Sequence, residues 1–400
     1  MKIVFVNRFY RPDISATSQM TAELAEGLSA FFKVEVITSR SCYDDPSRRL
    51  PAREVLGGVT VRRVWSTRFG RGTLAGRAAD YLTFYAAAFF CMRRVLEKGD
   101  ILIAETDPPL ISVFALRAAG ARGARLVNWV QDLFPEVSEA LGVGNARSPL
   151  NRTLKKWRNA SFRKAFDNIA LSRGMADRIR QAAPGAPVSV IPNWADGAKI
   201  RPVAPIENAL RREWQLSDKF VVCYSGNLGR AHEIDTMVGA AERLREHPSI
   251  RFLFIGGGYQ WPKLRKAVSE RSLTNVIFHD YRPASGLSES LSAADVHLVS
   301  LRPEAESLVV PSKLYGILAA GRPAIYIGKE NSEEAKMLSA ARAGFGVPAG
   351  RADLLAGALT ELAADLDRTR AMGLNARHVF DENFDAPIAL RAWMRTLGRP

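Results

Sequence analysis

Short apolar runs rich in β-branched residues alternate along the chain with longer segments of helical period. In the first half the runs fall at residues 3–6, 34–38, 60–64, 101–105, 125–130, 168–170 and 188–191. Amphipathic stretches such as 19–31 and 111–119 lie between them, and their spacing predicts helices. This alternation predicts βαβ units and an α/β fold with a parallel, doubly wound sheet. After Ile191 the segment Pro192-Asn193-Trp194-Ala195-Asp196 and an irregular stretch to about residue 207 read as a linker. The pattern then restarts, with strands expected at 220–225, 251–255, 276–279, 296–301 and 324–327. Helices are expected over 234–246 and beyond Pro262, and the tail 384–397 has a helical period suited to packing back across the domains.

Length agrees with two domains. A chain of 400 residues exceeds one ordinary core and divides into domains of roughly 200 residues each. The expected division is 1–200, 201–383 and a terminal helix over 384–400. Cys42, Cys91 and Cys223 are scattered, without metal-ligand spacing, which fits reduced thiols in the cytosol. The first apolar run is too short for a signal peptide, and the longest other run, 81–92, has 12 residues. A membrane span needs roughly 20, so a soluble or peripherally attached protein is expected.

Charge changes the picture more. Residues 1–200 hold 30 Lys+Arg against 18 Asp+Glu, a net +12, which leaves +3 of the total +15 for residues 201–400. The densest basic run spans 152–164 and is interleaved with Trp157 and Phe162, while Arg62, Arg63, Arg68, Arg71 and Arg77 precede the apolar run. Such a mixture suits an anionic membrane face or a phosphorylated partner. No nucleic-acid-binding pattern accompanies it. The plainer reading is a solvated basic surface.

Three loops of the second half carry candidate chemistry. Ser225-Gly226-Asn227-Leu228-Gly229-Arg230 and Gly256-Gly257-Gly258-Tyr259 each follow a strand. The third runs through Glu306, Ser307, Leu308 and Val309 into Val310-Pro311-Ser312-Lys313-Leu314-Tyr315-Gly316. A loop entering a helix points N–H groups at an anion, and Lys313, placed one turn into that helix, adds a cation. Glycine after a strand is commonly just a turn, but three such loops on consecutive βα units point to a phosphate-bearing ligand. The full dinucleotide and P-loop fingerprints are absent, which disfavours hydride transfer and NTP hydrolysis.

The chain resembles the family-4 glycosyltransferases of the GT-B fold, particularly bacterial enzymes of colanic-acid-type exopolysaccharide and O-antigen assembly. The likeness runs almost end to end. It includes Tyr10-Arg11-Pro12-Asp13, the stretch 23–28, Val34-Glu35-Val36-Ile37-Thr38 and Gln131-Asp132-Leu133-Phe134-Pro135-Glu136. It continues through Ile191-Pro192-Asn193-Trp194-Ala195-Asp196, the Ser225–Gly229 loop and Pro311-Ser312-Lys313-Leu314-Tyr315. The resemblance implies two facing Rossmann-like domains with a cleft between them, a nucleotide-sugar (UDP- or GDP-sugar) held by the C-terminal domain, and an acceptor held by the N-terminal one. It implies retention of anomeric configuration, and a polyprenyl-diphosphate-linked saccharide acceptor at the anionic inner face of the plasma membrane. The protein would be cytoplasmic and peripherally attached there. Two glutamates usual in the family fall at Leu308 and Gly316, and its basic pair at Asn227 and His232. Lys313 and Arg230 then become the substitute cations, and Glu304 or Glu306 the substitute for the first glutamate.

Breaking a glycosyl–phosphate bond requires a stabilised diphosphate. With no D-x-D metal motif, no metal or cofactor is expected, and cations with helix dipoles take that task. Donor contacts are expected from Gly226, Asn227, Leu228, Gly229, Arg230, Gly257, Gly258, Tyr259, Tyr281, Glu306, Ser307, Leu308, Val309, Ser312 and Lys313. Asp132 and Glu136 would orient or deprotonate the acceptor hydroxyl; their plainer reading is a helix cap and first-turn carboxylate. Glu105 and Asp107 are weaker alternatives, and Ser15, Thr17 and Asp107 are candidate acceptor contacts. His297 reads as a core histidine and Trp129 as core packing. Two rivals stand beside transfer: a nucleotide-sugar 2-epimerase, and a non-catalytic subunit of a polysaccharide-synthesis complex.

Overall fold

The computed structural model describes residues 1–13, 15–42, 48–70, 73–145 and 147–398. Arg71 of the arginine cluster lies outside the described residues. The chain forms two compact units. The first comprises Met1–Pro192, Ser307–Val310 and the residues from Leu390; the second comprises Asn193–Glu306 and Pro311–Ala389.

The first unit is built on an eight-stranded sheet. Its strands are β1 (Lys2–Val6), β2 (Lys33–Ser39), β3 (Arg53–Leu56), β4 (Val59–Val64), β5 (Ile101–Ala104), β6 (Arg125–Val130), β7 (Asp167–Ala170) and β8 (Ser189–Val190). Their order is β3-β4-β2-β1-β5-β6-β7-β8. Strands β1 and β5 read as unbroken apolar runs because helices cover both faces of a parallel sheet. The crossovers include α1 (Ala16–Ser29), α2 (Leu74–Val95), α3 (Ile111–Arg122), and the pair α4 (Glu136–Ala140) and α5 (Pro149–Lys164). Thr73 starts α2 by accepting a hydrogen bond from Gly76 N–H, and Gly123, at φ 66°, ends α3 in the left-handed conformation.

The parallel sheet of the first unit carries one antiparallel edge strand that was not expected. Edge strand β3 pairs antiparallel with β4. Its four residues, Arg53-Glu54-Val55-Leu56, alternate between exposed and half-buried and begin with two charged ones, so no apolar run announces them. The Gly57-Gly58 turn, with φ of 54° and 80°, is the signal that could have found the hairpin.

The second unit has a six-stranded parallel sheet, ordered β11-β10-β9-β12-β13-β14. The strands are β9 (Phe220–Asn227), β10 (Ile250–Gly257), β11 (Val276–His279), β12 (Val296–Ser300), β13 (Ala324–Gly328) and β14 (Gly344–Pro348). Strand β14, with two glycines and a proline, was not expected. Strands β9 and β10 run further than expected, pairing Gly256 with Gly226 and Gly257 with Asn227. Those residues are therefore strand ends rather than loops. In each sheet the order reverses once, between β1 and β5 and between β9 and β12. Ligands of open α/β sheets bind outside the carboxyl ends of strands at such points.

Each unit has its own core. In the first, Phe84, Ala88 and Met92 of α2 pack on Val4, Ile37 and Leu102 of the sheet. The C-terminal helix Ala386–Thr396 brings Trp393, fully buried, edge-on to Trp129 with ring centroids 5.0 Å apart. His297 is likewise buried, its Nε2 2.8 Å from the Leu291 carbonyl oxygen. Removing a large buried aromatic costs about 3–5 kcal/mol. Trp393→Ala is therefore expected to lower the stability of the first unit by about that amount, read as an earlier urea transition by circular dichroism.

Candidate active site

In the second unit the site forms where β9 and β12 part. Lys313 is the first residue of the helix Lys313–Ala319, not one turn inside it as expected. That helix has only seven residues, so attraction for an anion rests on the lysine more than on a macrodipole. The Lys313 amino group donates to the Tyr224 hydroxyl, lies 3.7 Å from the Tyr224 ring centroid, and sits 3.4 Å from the Asn227 carbonyl oxygen. Tyr224 in turn donates to the same carbonyl at 3.2 Å. Desolvation pushes the Lys313 amine well below its usual pKa, although part of the side chain still touches solvent. Crowding by surrounding protein, rather than complete enclosure, accounts for both facts.

The glycines around this lysine serve two different ends. A Cβ on Gly256 would meet the Gly226 carbonyl oxygen at 2.4 Å, and one on Gly258 would meet Asn227 Oδ1 at 2.3 Å. Both residues have positive φ, 132° and 124°. They are glycine because the ends of β9 and β10 approach each other, which the sequence alone could not separate from approach to a ligand. Gly226 differs. A Cβ there would find only Lys313, with Cε at 3.8 Å and Nζ at 4.0 Å, so its missing side chain leaves open space beside the amine.

Around this core stand the other expected donor contacts. Arg230 and Tyr259 are exposed, with the guanidinium carbon 3.4 Å from the ring centroid. Tyr281, also exposed, lies over the glycines: Cβ atoms on Gly256 and Gly257 would come within 3.2 and 3.3 Å of its ring. Leu228 is fully buried and Gly229 half-buried. Ser312 is exposed at the helix start without a side-chain capping bond.

Several expected contacts have other work. Glu306 is buried, and its Oε1 accepts hydrogen bonds from the Tyr326 hydroxyl at 3.2 Å and from Lys329 N–H. It is thus a brace for β13, and Glu304 remains exposed. Leu308 is buried in the first unit; its carbonyl accepts from Leu133 N–H at 2.9 Å, while Val309 bridges to Asp132. Ser307 makes the turn into that pairing at φ 63°, a left-handed conformation that costs a non-glycine residue energy. A side chain at Gly316 would point toward Leu291 and Ile200, at 3.4 and 3.8 Å, an apolar setting hostile to a carboxylate. His232, in the position of a basic residue, donates through Nδ1 to the Ser300 carbonyl at 2.7 Å. Burial, with Lys313 nearby, lowers its pKa to about 3, so it is neutral and Nδ1 is the donor.

Gln260 is a residue that sequence reasoning missed. Its side-chain amide donates to the carbonyls of Gly229 and His232, holding the loop that carries Arg230. Tyr224, the partner of Lys313, was missed as well. It sits in an apolar run, and nothing in its spacing distinguishes it from core packing.

In the first unit the acidic candidates separate. Thr106 Oγ1 accepts from Gln131 N–H and Asp132 N–H, both at 3.3 Å, tying the ends of β5 and β6 together. Asp132 is exposed at its surface but closely surrounded by protein. Desolvation and the neighbouring Asp107 carboxylate raise its pKa to about 6. Glu105 is fully buried, accepts from Thr21 Oγ1 at 2.7 Å, and is pushed well above the carboxylate range by desolvation. It lines a cavity of about 20 Å³ with Asp132, Asn128 and Arg158, room for one water molecule. Glu136, expected to share the work of Asp132, is instead the first residue of α4 and is gripped by both terminal nitrogens of Arg158. Desolvation opposes its ionisation, but the Arg158 bonds and charge prevail and lower its pKa. A carboxylate held ionised this way is a poor proton acceptor, which corrects that expectation. Ser15 and Thr17 lie half-buried at the start of α1, and the Ser15 side-chain oxygen has no partner among the described residues.

The basic excess is partly structural too. Arg62 bonds Glu35 across the sheet, Arg63 is buried with Glu54, and Lys155 bonds Glu139 at 2.7 Å. Arg152, Lys156, Trp157, Arg163 and Lys164 remain exposed on α5. Among the described residues no group of three or more His, Cys, Asp or Glu is placed to hold a metal ion, and no helix is long and apolar enough to cross a membrane.

Comparison with known proteins follows the two units. Residues 15–194 match the family described as Glycosyl transferase 4-like domain, and residues 219–365 match Glycosyl transferases group 1. The chain is 30% identical to the putative colanic acid biosynthesis glycosyl transferase WcaI of Escherichia coli (strain K12), over 83% of this chain and 84% of that protein. Its fold is similar to sucrose-phosphate synthase from Thermosynechococcus elongatus, at TM-score 0.80 and 19% identity with 98% of each chain covered. It is also similar to Anabaena Alr3699/HepE in complex with UDP-glucose, at TM-score 0.74 and 18% identity with 99% of each covered. The fold is GT-B, and the chain belongs to the glycosyltransferases that join a Glycosyl transferase 4-like domain to a glycosyl transferases group 1 domain.

Proposed function

We propose that this glycosyltransferase moves a sugar, with retention of configuration, from a UDP- or GDP-sugar to a polyprenyl-diphosphate-linked saccharide. The setting is bacterial exopolysaccharide or O-antigen assembly at the anionic cytoplasmic face of the inner membrane. The second unit takes the donor and the first the acceptor. The observation that carries the reading is Lys313, whose amine stands beside the open space at Gly226 where β9 and β12 diverge. The kinship with a colanic acid biosynthesis glycosyl transferase and the fold likeness to a UDP-glucose complex support the substrate classes.

As the glycosyl–phosphate bond lengthens, negative charge grows on the diphosphate. A preorganised ammonium in a water-poor setting stabilises that charge more than water does. Lys313 and Arg230 supply the cations. Asp132 orients the acceptor hydroxyl, and above its pKa it can also receive the proton. Front-side attack assisted by the leaving phosphate would preserve the anomeric configuration.

Incubation with a panel of nucleotide-sugars and membrane extract tests the reading. Acceptor-dependent nucleotide release is expected. An epimeric nucleotide-sugar formed without acceptor would overturn it in favour of epimerisation, and binding without any product would favour the scaffold. Lys313→Ala is expected to lower turnover at least about tenfold, or about 1.4 kcal/mol in barrier; unchanged turnover in a folded variant removes Lys313 from the site.

Two pH effects follow from the displaced pKa values. Burial lowers the Lys313 pKa in the free protein, whereas a bound diphosphate favours the charged amine. At pH above the lowered value UDP binding therefore takes up a proton, and it weakens as pH rises through that range. Calorimetry in two buffers of different ionisation heat reads this uptake, and Lys313→Met abolishes it. For Asp132, raised to about 6, the active form is the carboxylate, so kcat/KM should rise as pH increases through about 6. Asp132→Asn should lower kcat and remove that limb from the pH–rate profile.

A further inference from the structure

Helix α2 is apolar on both sides. Its inward face, with Phe84, Ala88 and Met92, belongs to the core. Its exposed residues are Ala75, Ala78, Leu82, Ala86, Phe90, Arg93 and Arg94. The first six fall on one stripe at helical spacing, and five of those six are apolar. Leu82 and Phe90 are 63% and 69% exposed. A helix that is apolar all round normally has protein or lipid on every side.

The stripe does not stand alone. Asp80 of α2 accepts from Thr67 Oγ1, Phe69 N–H and Gly70 N–H, and Thr83 accepts from Thr67 N–H. These bonds lay the loop after β4 along the first turns of α2, with the Phe69 Cβ 2.7 Å from where a Cβ on Gly76 would be. Trp65 and Phe69, 61% and 68% exposed, stand on that loop, which runs along the flank of the stripe. Beside them, Arg40, Arg49 and Arg68 line a cavity of about 610 Å³.

Charge identifies what covers this face. Residues 59–95 contain seven arginines and one acid, and two of the seven, Arg62 and Arg63, are paired with Glu35 and Glu54. The one acid of the segment, Asp80, is buried and paired with Arg8 at 3.2 Å. Arginines stand at both ends of the stripe: Arg68 by the loop, Arg93 and Arg94 at the helix end. A second copy docked through the same face would set arginine against arginine whether the two helices ran parallel or antiparallel. An anionic lipid surface instead offers hydrocarbon to the stripe and phosphate to the arginines. The contrast with α5 is one of proportion: four of its eight exposed residues are Arg or Lys, against two of the seven exposed on α2.

We infer that the outer stripe of α2, with Trp65, Phe69 and the flanking arginines, is the surface by which this protein lies on an anionic bilayer. The inference specifies the membrane contact of the function proposed above. The helix lies in the interface and does not span it.

The test is flotation of the full chain with phosphatidylglycerol-containing vesicles and with pure phosphatidylcholine vesicles. Neither donor nor acceptor is needed, so its result is independent of glycosyl transfer. Binding is expected to the anionic vesicles and to weaken with salt. The double variant Leu82→Glu/Phe90→Glu should lower it roughly tenfold or more, and Arg93→Glu/Arg94→Glu should remove most of the preference for anionic lipid. Circular dichroism and urea unfolding confirm that the variants are folded. Wild-type protein that ignores anionic vesicles overturns the inference, as do folded glutamate variants that bind unchanged. A wild-type dimer in sedimentation that becomes monomeric in Leu82→Glu/Phe90→Glu also overturns it, assigning the face to a second copy. Loss of turnover on a membrane-borne acceptor with normal vesicle binding would instead count against the proposed reaction.

Discussion

An ammonium group brought out of water must recover in protein contacts what it loses in hydration. At Lys313 the replacements are the Tyr224 hydroxyl and ring and the Asn227 carbonyl, and the rest of the second unit's site is arranged around them. Tyr224 and Asn227 belong to β9, whose neighbours β10 and β12 set its position in the sheet. Gln260 then fixes the loop beyond, and with it Arg230. The amine remains costly to charge until an anion arrives, a property suited to a group that must respond to a diphosphate.

The same economy of groups explains why the acidic residues divide as they do. Glu136, Glu306 and Glu105 are all engaged, by Arg158, by Tyr326 and Lys329 N–H, and by Thr21 respectively. Asp132 alone among the proposed catalytic acids combines contact with solvent and a pKa raised to about 6. Side chains that brace the scaffold cannot also be counted as reagents. Gly316 makes the complementary point: with Leu291 and Ile200 around it, the backbone there has no use for a carboxylate.

Much of the architecture was legible because parallel strands buried on both faces leave continuous apolar runs. Strands β1, β2, β5 and β6 were all visible in this way, and so was the restart of the pattern at β9. The misses were β3, which alternates between exposed and half-buried and begins with two charged residues, and β14, rich in glycine and proline; both violate that signature for the plain reason that they lie at sheet edges. The Lys313 segment was legible as chemistry, but its helix proved to begin at the lysine and to be short.

By itself the sequence determined the fold class, the family and the placing of glycines, cations and acids at strand ends, since apolar periodicity and local motifs are written along the chain. Tertiary structure alone decided which of those residues are available. Gly256 and Gly258 answer to a strand–strand approach, and Glu136 to an arginine more than twenty residues away. Only the fold, likewise, turned the apolar run of α2 into two faces, one in the core and one toward solvent. A one-dimensional pattern specifies what a residue prefers to contact; partners distant in the chain determine whether that contact is already taken.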